Sequence, residues 1–423
     1  MKRIAALAFL LSLAFSVVSV AKASNVPSYP IAADVYTTLD KTVVPRPTPP
    51  DTPLLLPCQV SEYAPNHYGE WDYGDPCPFV RPDLQSGEIS PSVTDPSATT
   101  LLRFFTMSDI HIADKESPAQ CIYFGYDFPE PSTPDGPAGN SSAYSAVILY
   151  TTQVLDAAVQ TINALHKKAP FDFGIALGDA ANNTQYNELR AYINVLDGKM
   201  IAPSSGAHHG ARAIDYQRPY QAAGLDQSIK WGQAIGNHDQ FWMGSAPTND
   251  YIRRTHVGNR ILNIGPITSL PPDWPTVFST RGFYMGVVDG WTKFGEIIDV
   301  GPVGNYPQPP NIVADSNRRS LSMQGWMSEF FKTASKPVGH GFTRKMINNK
   351  FACYHFYPRA DIPIKVIVLD DTDRVGGGAA GALDKKRYEW LVNELDAGEA
   401  AGELMVICAH VPVRPYAASP TNP

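Results

Sequence analysis

Four stretches of the chain place metal-capable side chains directly after a short apolar run. Asp109 and His111 follow residues 101–107, and Asp179 follows 171–177. Asn237, His238 and Asp239 follow 231–235, and His410 closes 404–409. Each signal is weak alone. Asp-x-His arises by chance, Gly-Asp is a common turn, and a lone histidine after a strand is more often a hydrogen-bonded structural residue than a ligand. The ordered set reverses those odds, because α/β folds gather ligands at the carboxyl ends of their strands. Asp109 and His111 are two residues apart, so an extended strand end projects both to one side, where they can grip one cation. Carboxylate oxygens with imidazole nitrogens suit divalent or trivalent first-row ions. The lack of thiolates at these positions argues against a structural zinc cage.

The elements that must position these residues follow from periodicity. The apolar runs read as buried strands, with two more at 351–357 and 364–369. A helix is expected over 144–168, where Val147, Val154, Leu155, Ala158, Ile162 and Leu165 fall near one face. Others are expected at about 186–196 and over 383–395, the last marked by Leu383, Trp390, Leu391 and Leu395. Strands alternating with helices define an α/β fold. Residues 24–99 are rich in Pro, Ser, Thr and Asp with little periodicity, and read as a Pro-rich N-terminal arm rather than a separate core. Residues 245–350 carry many Gly and Pro and read as an irregular insertion able to cap a site.

The motifs resemble a known family. Asp109-x-His111, Gly178-Asp179 with Asn182 three positions on, Gly236-Asn237-His238-Asp239, and His410 are similar to the first four signature blocks of calcineurin-like metallophosphoesterases. Tyr388-Glu389-Trp390-Leu391, ahead of the strand ending in His410, looks like that family's penultimate helix. The resemblance covers residues 100–423 outside the insertion. It implies a two-sheet α/β/β/α sandwich with the site at one edge, and two metal ions drawn from Mn, Fe or Zn. Asp109 and His111 would hold the first ion, Asp179 would bridge, and Asn237 and His410 would hold the second. His238 would stand just outside as proton donor to the leaving oxygen, oriented by Asp239. The implied reaction is hydrolysis of a phosphomonoester or phosphodiester by water activated between the ions.

Two departures stand out. The family's closing Gly-His-x-His has no counterpart after His410, and Gly339-His340-Gly341-Phe342 lacks the second histidine. Either the domain is incomplete at its C-terminus, missing its last strands and two ligands, or water or the His208–His209 pair completes the shell. Purple acid phosphatases carry a tyrosine where this chain has Asn182, so an iron–tyrosinate site is not expected. Arg414, four residues past His410, is a candidate substrate clamp, since the guanidinium fork matches phosphate oxygens.

Composition sets the setting. Lys2 and Arg3 precede an apolar run to Val20, and Ala21-Lys22-Ala23 offers a small-x-small cleavage pattern, as in a signal peptide over 1–23. Export to the periplasm or the medium is expected, with no stable membrane insertion after cleavage. The net charge of −7 becomes −10 when Lys2, Arg3 and Lys22 are removed (−7 − 3 = −10). Without basic blocks, no footprint for duplex nucleic acid is visible. The expected partner is a small phosphorylated molecule, nucleotides included. Cys58 and Cys77 share the Pro-rich arm, and an oxidising compartment would permit them to pair. The competing class is an exported binding protein that retains the fold with an incomplete metal site.

Overall fold

The structure, a computed structural model, describes residues 35–56, 58–77, 99–123, 132–133, 136–137, 146–265, 281–288, 290–375, 378 and 380–412. The leader expected at 1–23 and the candidate Arg414 lie outside the described residues. Within the arm, β1 (Thr42–Pro45) pairs antiparallel with β2 (Trp71–Gly74). Arg46 reaches across to Glu70 and Asp72 at 2.8 and 2.6 Å. None of the described residues from 35 to 77 is buried, which is what a segment without hydrophobic periodicity gives. Cys77 is a free thiol at the surface, so the Cys58–Cys77 bridge is not formed.

The expected strands form, each shortened where its loop takes over. β3 (Phe104–Met107), β4 (Phe173–Ala176) and β5 (Trp231–Gln233) make a parallel sheet in that order. β4 and β5 are buried throughout, whereas β3, expected to be buried, alternates between exposed and half-buried residues. Two further strands, β6 (Phe283–Val288) and β7 (Ile297–Pro302), form an antiparallel pair. β8 (Tyr354–Phe356), β9 (Ile364–Val368) and β10 (Leu404–Cys408) form a second three-stranded sheet, with β8 antiparallel to β9 and β10 parallel to it. The two three-stranded sheets share one core. Phe173, Ile175 and Trp231 from the first and Tyr354, Val366, Val368 and Cys408 from the second belong to a single buried cluster.

Helices close this core. α1 (Thr151–Lys168) buries Leu155, Val159 and Ile162, and α2 (Tyr186–Leu196) buries Leu189, Tyr192, Ile193, Val195 and Leu196. The first part of the helix expected over 144–168 is a 3₁₀ stretch, Ala146–Tyr150. α3 (Asp250–Val257), α4 (Met323–Glu329) and α5 (Arg344–Asn349) lie in the stretch read as an irregular insertion. That reading is corrected for its second half. Trp326, Met327, Phe330, Phe342 and Ile347 belong to the main core, so this part supports the sheets rather than capping them. α6 (Lys385–Ala400) begins at Asp384, whose side chain accepts from the Arg387 N–H, and lays Trp390, Leu391 and Leu395 against Cys353, Ile367 and Leu369. The fold is mixed α/β with several small sheets. Among the described residues no helix is long and apolar enough to cross a membrane.

Candidate metal centre

The loops after β3 and β4 run side by side beyond the ends of their strands. The N–H groups of Asp109, His111 and Ile112 donate to the carbonyls of Gly178, Asp179 and Ala180 at 3.2, 2.9 and 3.0 Å. Asp109, His111 and Asp179 all have positive φ, at 56°, 47° and 53°. Three such non-glycine residues at one place store backbone strain of the kind that collects at functional sites. The extended geometry expected at Asp109 and His111 is therefore corrected: the two side chains converge because both residues are left-handed. Gly236 allows the third loop to close in, since a Cβ there would stand 2.0 Å from Asp179 Oδ1.

The side chains meet around Asp179. Its Oδ2 lies 3.5 Å from His111 Nε2 and 3.3 Å from His410 Nε2, and His111 Nε2 lies 3.6 Å from Asp109 Oδ1. Asp179 Oδ1 accepts the His238 N–H at 2.9 Å. The ligand atoms of His111, Asp179 and His238 lie within 4.8 Å of one another, as do those of Asp109, Asp179 and His410. Both groups contain Asp179. This grouping differs from the expected one, in which Asp109 went with His111 and His238 stood apart. Asn237 does lie beside His410, its Oδ1 2.8 Å from His410 Nε2.

A chain oxygen faces Nδ1 of each of the three imidazoles. His111 Nδ1 is 3.1 Å from Asn182 Oδ1, His238 Nδ1 is 2.7 Å from the Asn182 carbonyl, and His410 Nδ1 is 3.1 Å from the Leu177 carbonyl. A proton on Nδ1 satisfies each of these contacts and leaves Nε2 for the centre, the arrangement that orients metal-binding histidines. Two ligand atoms sharing a tetrahedral ion at about 2.0–2.2 Å stand about 3.3–3.6 Å apart. The separations around Asp179 match that range, and two of them are long for a direct hydrogen bond. The donor set therefore fits first-row cations.

Electrostatics point the same way. Burial opposes charge on Asp179, yet His410, His238 and His111 hold its carboxyl below the usual range. Asp109 is held down, to about 2, chiefly by His111. Burial works against a proton on His410, but the hydrogen bond and charge of Asp179 outweigh it and raise the imidazole to about 9. His111 is raised against burial by Asp109 and Asp179. His238 is lowered, mainly by burial. Two carboxylates here demand positive charge, which a cation can supply while the imidazoles stay neutral.

Asp239 requires a correction. It does not orient His238; the Asn182 carbonyl does. Fully buried, Asp239 accepts from the N–H groups of Asp179 and Gly236 at 2.9 Å each, and from Ala181 and Trp326 Nε1 at 3.1 Å each. Burial, with Asp179 nearby, pushes it up to about 7 despite those backbone donors. The His208–His209 pair does not join the groups around Asp179: His208 Nδ1 faces Glu116 Oε2 at 3.1 Å, and His209 lines a cavity with Asp114 and Ser204. His340 stacks on Trp231 in the core at 3.6 Å. Sequence reasoning missed the positioning parts. Ser108 bonds Asp109, and Trp326 reaches Asp239 from α4, with nothing in the local sequence to mark it. Asn182 was visible as a motif position but not as the partner of two histidines. No protein-family model matches this chain, and a search of curated proteins found no match either.

Proposed function

We propose that this chain hydrolyses phosphate esters, monoesters or diesters, in a metal-dependent reaction. The observation that carries the reading is the sharing of Asp179 by two groups of ligand atoms, with Nδ1 of every histidine held from behind. The convergence of all four motif blocks on that carboxylate supports phosphoester chemistry over other uses of a metal. In this reading the two three-stranded sheets are the halves of a two-sheet sandwich with the centre at its edge. Export to the periplasm or the medium, and a small phosphorylated substrate such as a nucleotide, belong to the same proposal.

Asp109, His111 and Asp179 would hold one ion, and Asp179, His410 and Asn237 the other, with Asp179 common to both. Two such ions, when bound, supply the positive charge that polarises a phosphoryl oxygen and activates water. The chain's own contribution is positional. Asp179 is fixed by the His238 N–H on one oxygen and offers the other to both histidines. His238 faces the same space through Nε2, where it can hold a proton for the leaving oxygen. Asp239 and Trp326 keep the Asp179 and Gly236 loops in register.

The test is metal content and turnover on the full chain, stripped and reloaded with Mn²⁺, Zn²⁺ or Fe, with p-nitrophenyl phosphate and its diester as substrates. The expected result is about two ions per chain and hydrolysis. Asp179→Ala should lose the ions, whereas His238→Ala should keep them and lose roughly 10²–10⁴-fold in rate. If His238→Ala instead loses an ion, His238 is a ligand and its proton role falls. One ion or none, without turnover, sinks the hydrolase reading and leaves a binding protein.

A further inference from the structure

A cavity of about 410 Å³ opens between α3, residues 258–263 and β6, and the proposed hydrolysis makes no use of it. Its volume lies in the range of about 300–1,000 Å³ typical of small-molecule sites. The chain fixes its frame. Tyr251 Oη donates to the Asn263 carbonyl at 2.8 Å and accepts the Asn263 N–H at 3.1 Å, which ties α3 to the stretch that follows it. The Ile312 N–H donates to the Asn259 carbonyl at 2.7 Å, and the Ile261 N–H to the Pro310 carbonyl at 3.4 Å. Ile252 anchors α3 from another side, buried with Leu262, Phe283 and Met285.

The cavity is lined by donors that have nothing to donate to. Arg254 and Arg260 bring two guanidinium groups, Asn259 an amide and Tyr284 a hydroxyl. Among the described residues, none of these four side chains makes a hydrogen bond or an ion pair. Both arginines and Asn259 are exposed. Tyr284 is only 7 % exposed and packs edge-on against Tyr306, with centroids 5.3 Å apart, yet its hydroxyl is not closed to solvent. Among the described residues no carboxylate, imidazole or thiol lines the cavity, so two positive charges stand uncompensated on a chain of net charge −7. Asp250 is engaged by Arg253 at 3.1 Å, and Asp299, beside Tyr306, is raised by burial. The carboxyl end of α3 contributes roughly half a negative charge, which two guanidinium groups outweigh.

The count of donors narrows the anion. A single carboxylate offers about four lone-pair sites, fewer than two guanidinium forks, a hydroxyl and an amide can fill. A phosphate monoester presents about three strong acceptor oxygens and close to two negative charges, which matches both the donors and the charge. The phosphate itself fills a small part of the volume and leaves room for an organic body against the Tyr251 ring and Ile261.

We propose that this cavity binds a small phosphate monoester, its phosphate held by Arg254 and Arg260 with Tyr284 and Asn259 completing the shell. It is a binding site in which no bond is broken. The proposal stands apart from the metal reading and needs no bound ion.

The test is isothermal titration of the metal-stripped full chain with sn-glycerol 3-phosphate, with succinate as a dicarboxylate arm and glycerol as a neutral control. Glycerol phosphate should bind saturably and more weakly as salt is raised, and succinate should bind less tightly. Arg254→Gln and Arg260→Gln should each weaken binding about tenfold, as for the loss of one charge-assisted hydrogen bond. Neither arginine holds another part of the chain, so the melting temperature should not change. Tyr284→Phe keeps the ring against Tyr306 and should weaken binding about fivefold. Absence of glycerol phosphate binding, or binding that all three variants leave unchanged, would overturn the proposal. Succinate or glycerol binding as tightly as the phosphate ester would overturn it too.

Discussion

Asn182 is the residue at which the positioning argument is most exposed to test. Its side-chain oxygen faces His111 Nδ1 at 3.1 Å and its amide nitrogen donates to Gln120 Oε1 at 3.2 Å, at a position only 4 % exposed. Asn182→Ala removes both bonds but leaves the backbone carbonyl that holds His238. His111 Nδ1, on a side chain 28 % exposed, then loses its acceptor and can turn to water. Loss of such a bond costs about 0.5–1.5 kcal/mol, so the urea midpoint of the metal-free chain should fall accordingly. Losing an outer-shell partner also weakens a metal site by about 10–100-fold. Zinc or manganese titration should therefore show the site containing His111 weakened, with the site containing His410 retained. Histidine ¹⁵N shifts should show His111 losing its preference for the Nε2-facing form while His238 keeps its own. Asn182→Asp, which restores an acceptor, should recover His111 geometry and most of the affinity. A variant that loses stability while both metal affinities stay within about twofold would refute the claim that Asn182 acts through His111.

Two further outcomes follow from burial and close packing. His340 is stacked on Trp231 and fully buried, and burial lowers it to about 4 against its ordinary 6.5. Between those values the unfolded chain binds a proton that the folded chain refuses, so stability rises with pH across that window and is lost on acidification, by about 3 kcal/mol in all. Urea unfolding from pH 7 to pH 4 should show this slope, His340→Phe should flatten part of it, and a profile indifferent to that substitution would count against the assignment. Gly236→Ala places a methyl 2.0 Å from Asp179 Oδ1 and 2.4 Å from its backbone nitrogen, so it should cost about 1–3 kcal/mol and displace the shared carboxylate. Metal content should fall for both groups together; loss of one ion alone would contradict the shared role of Asp179.

Most of what was legible in the sequence was local. The runs ending at Met107, Leu177, Ile235 and Ala409 announced strands because apolar pattern and strand formation act over a few residues, and α2 was readable to its ends for the same reason. Residue type exposed Asp109, His111, Asp179, Asn237, His238 and His410 as candidates, and tertiary structure brought them to one place. The reason given for Asp109 and His111 was different from the actual one, because left-handed backbone is held by the facing loop and not by the residues themselves. The second half of the 245–350 stretch looked irregular because its helices are short, six and seven residues, and its apolar residues are widely spaced.

What the chain determined by itself is therefore the chemistry available: carboxylates and imidazoles, without thiolates, at the ends of alternating α/β elements. What tertiary structure alone decided is which atoms share Asp179, which oxygen holds each Nδ1, and that Asp239 turns inward to four N–H groups while Trp326 arrives from 87 positions away. Hydrogen-bond geometry depends on atoms brought together by packing over long separations, and no local rule of residue type or period contains those distances.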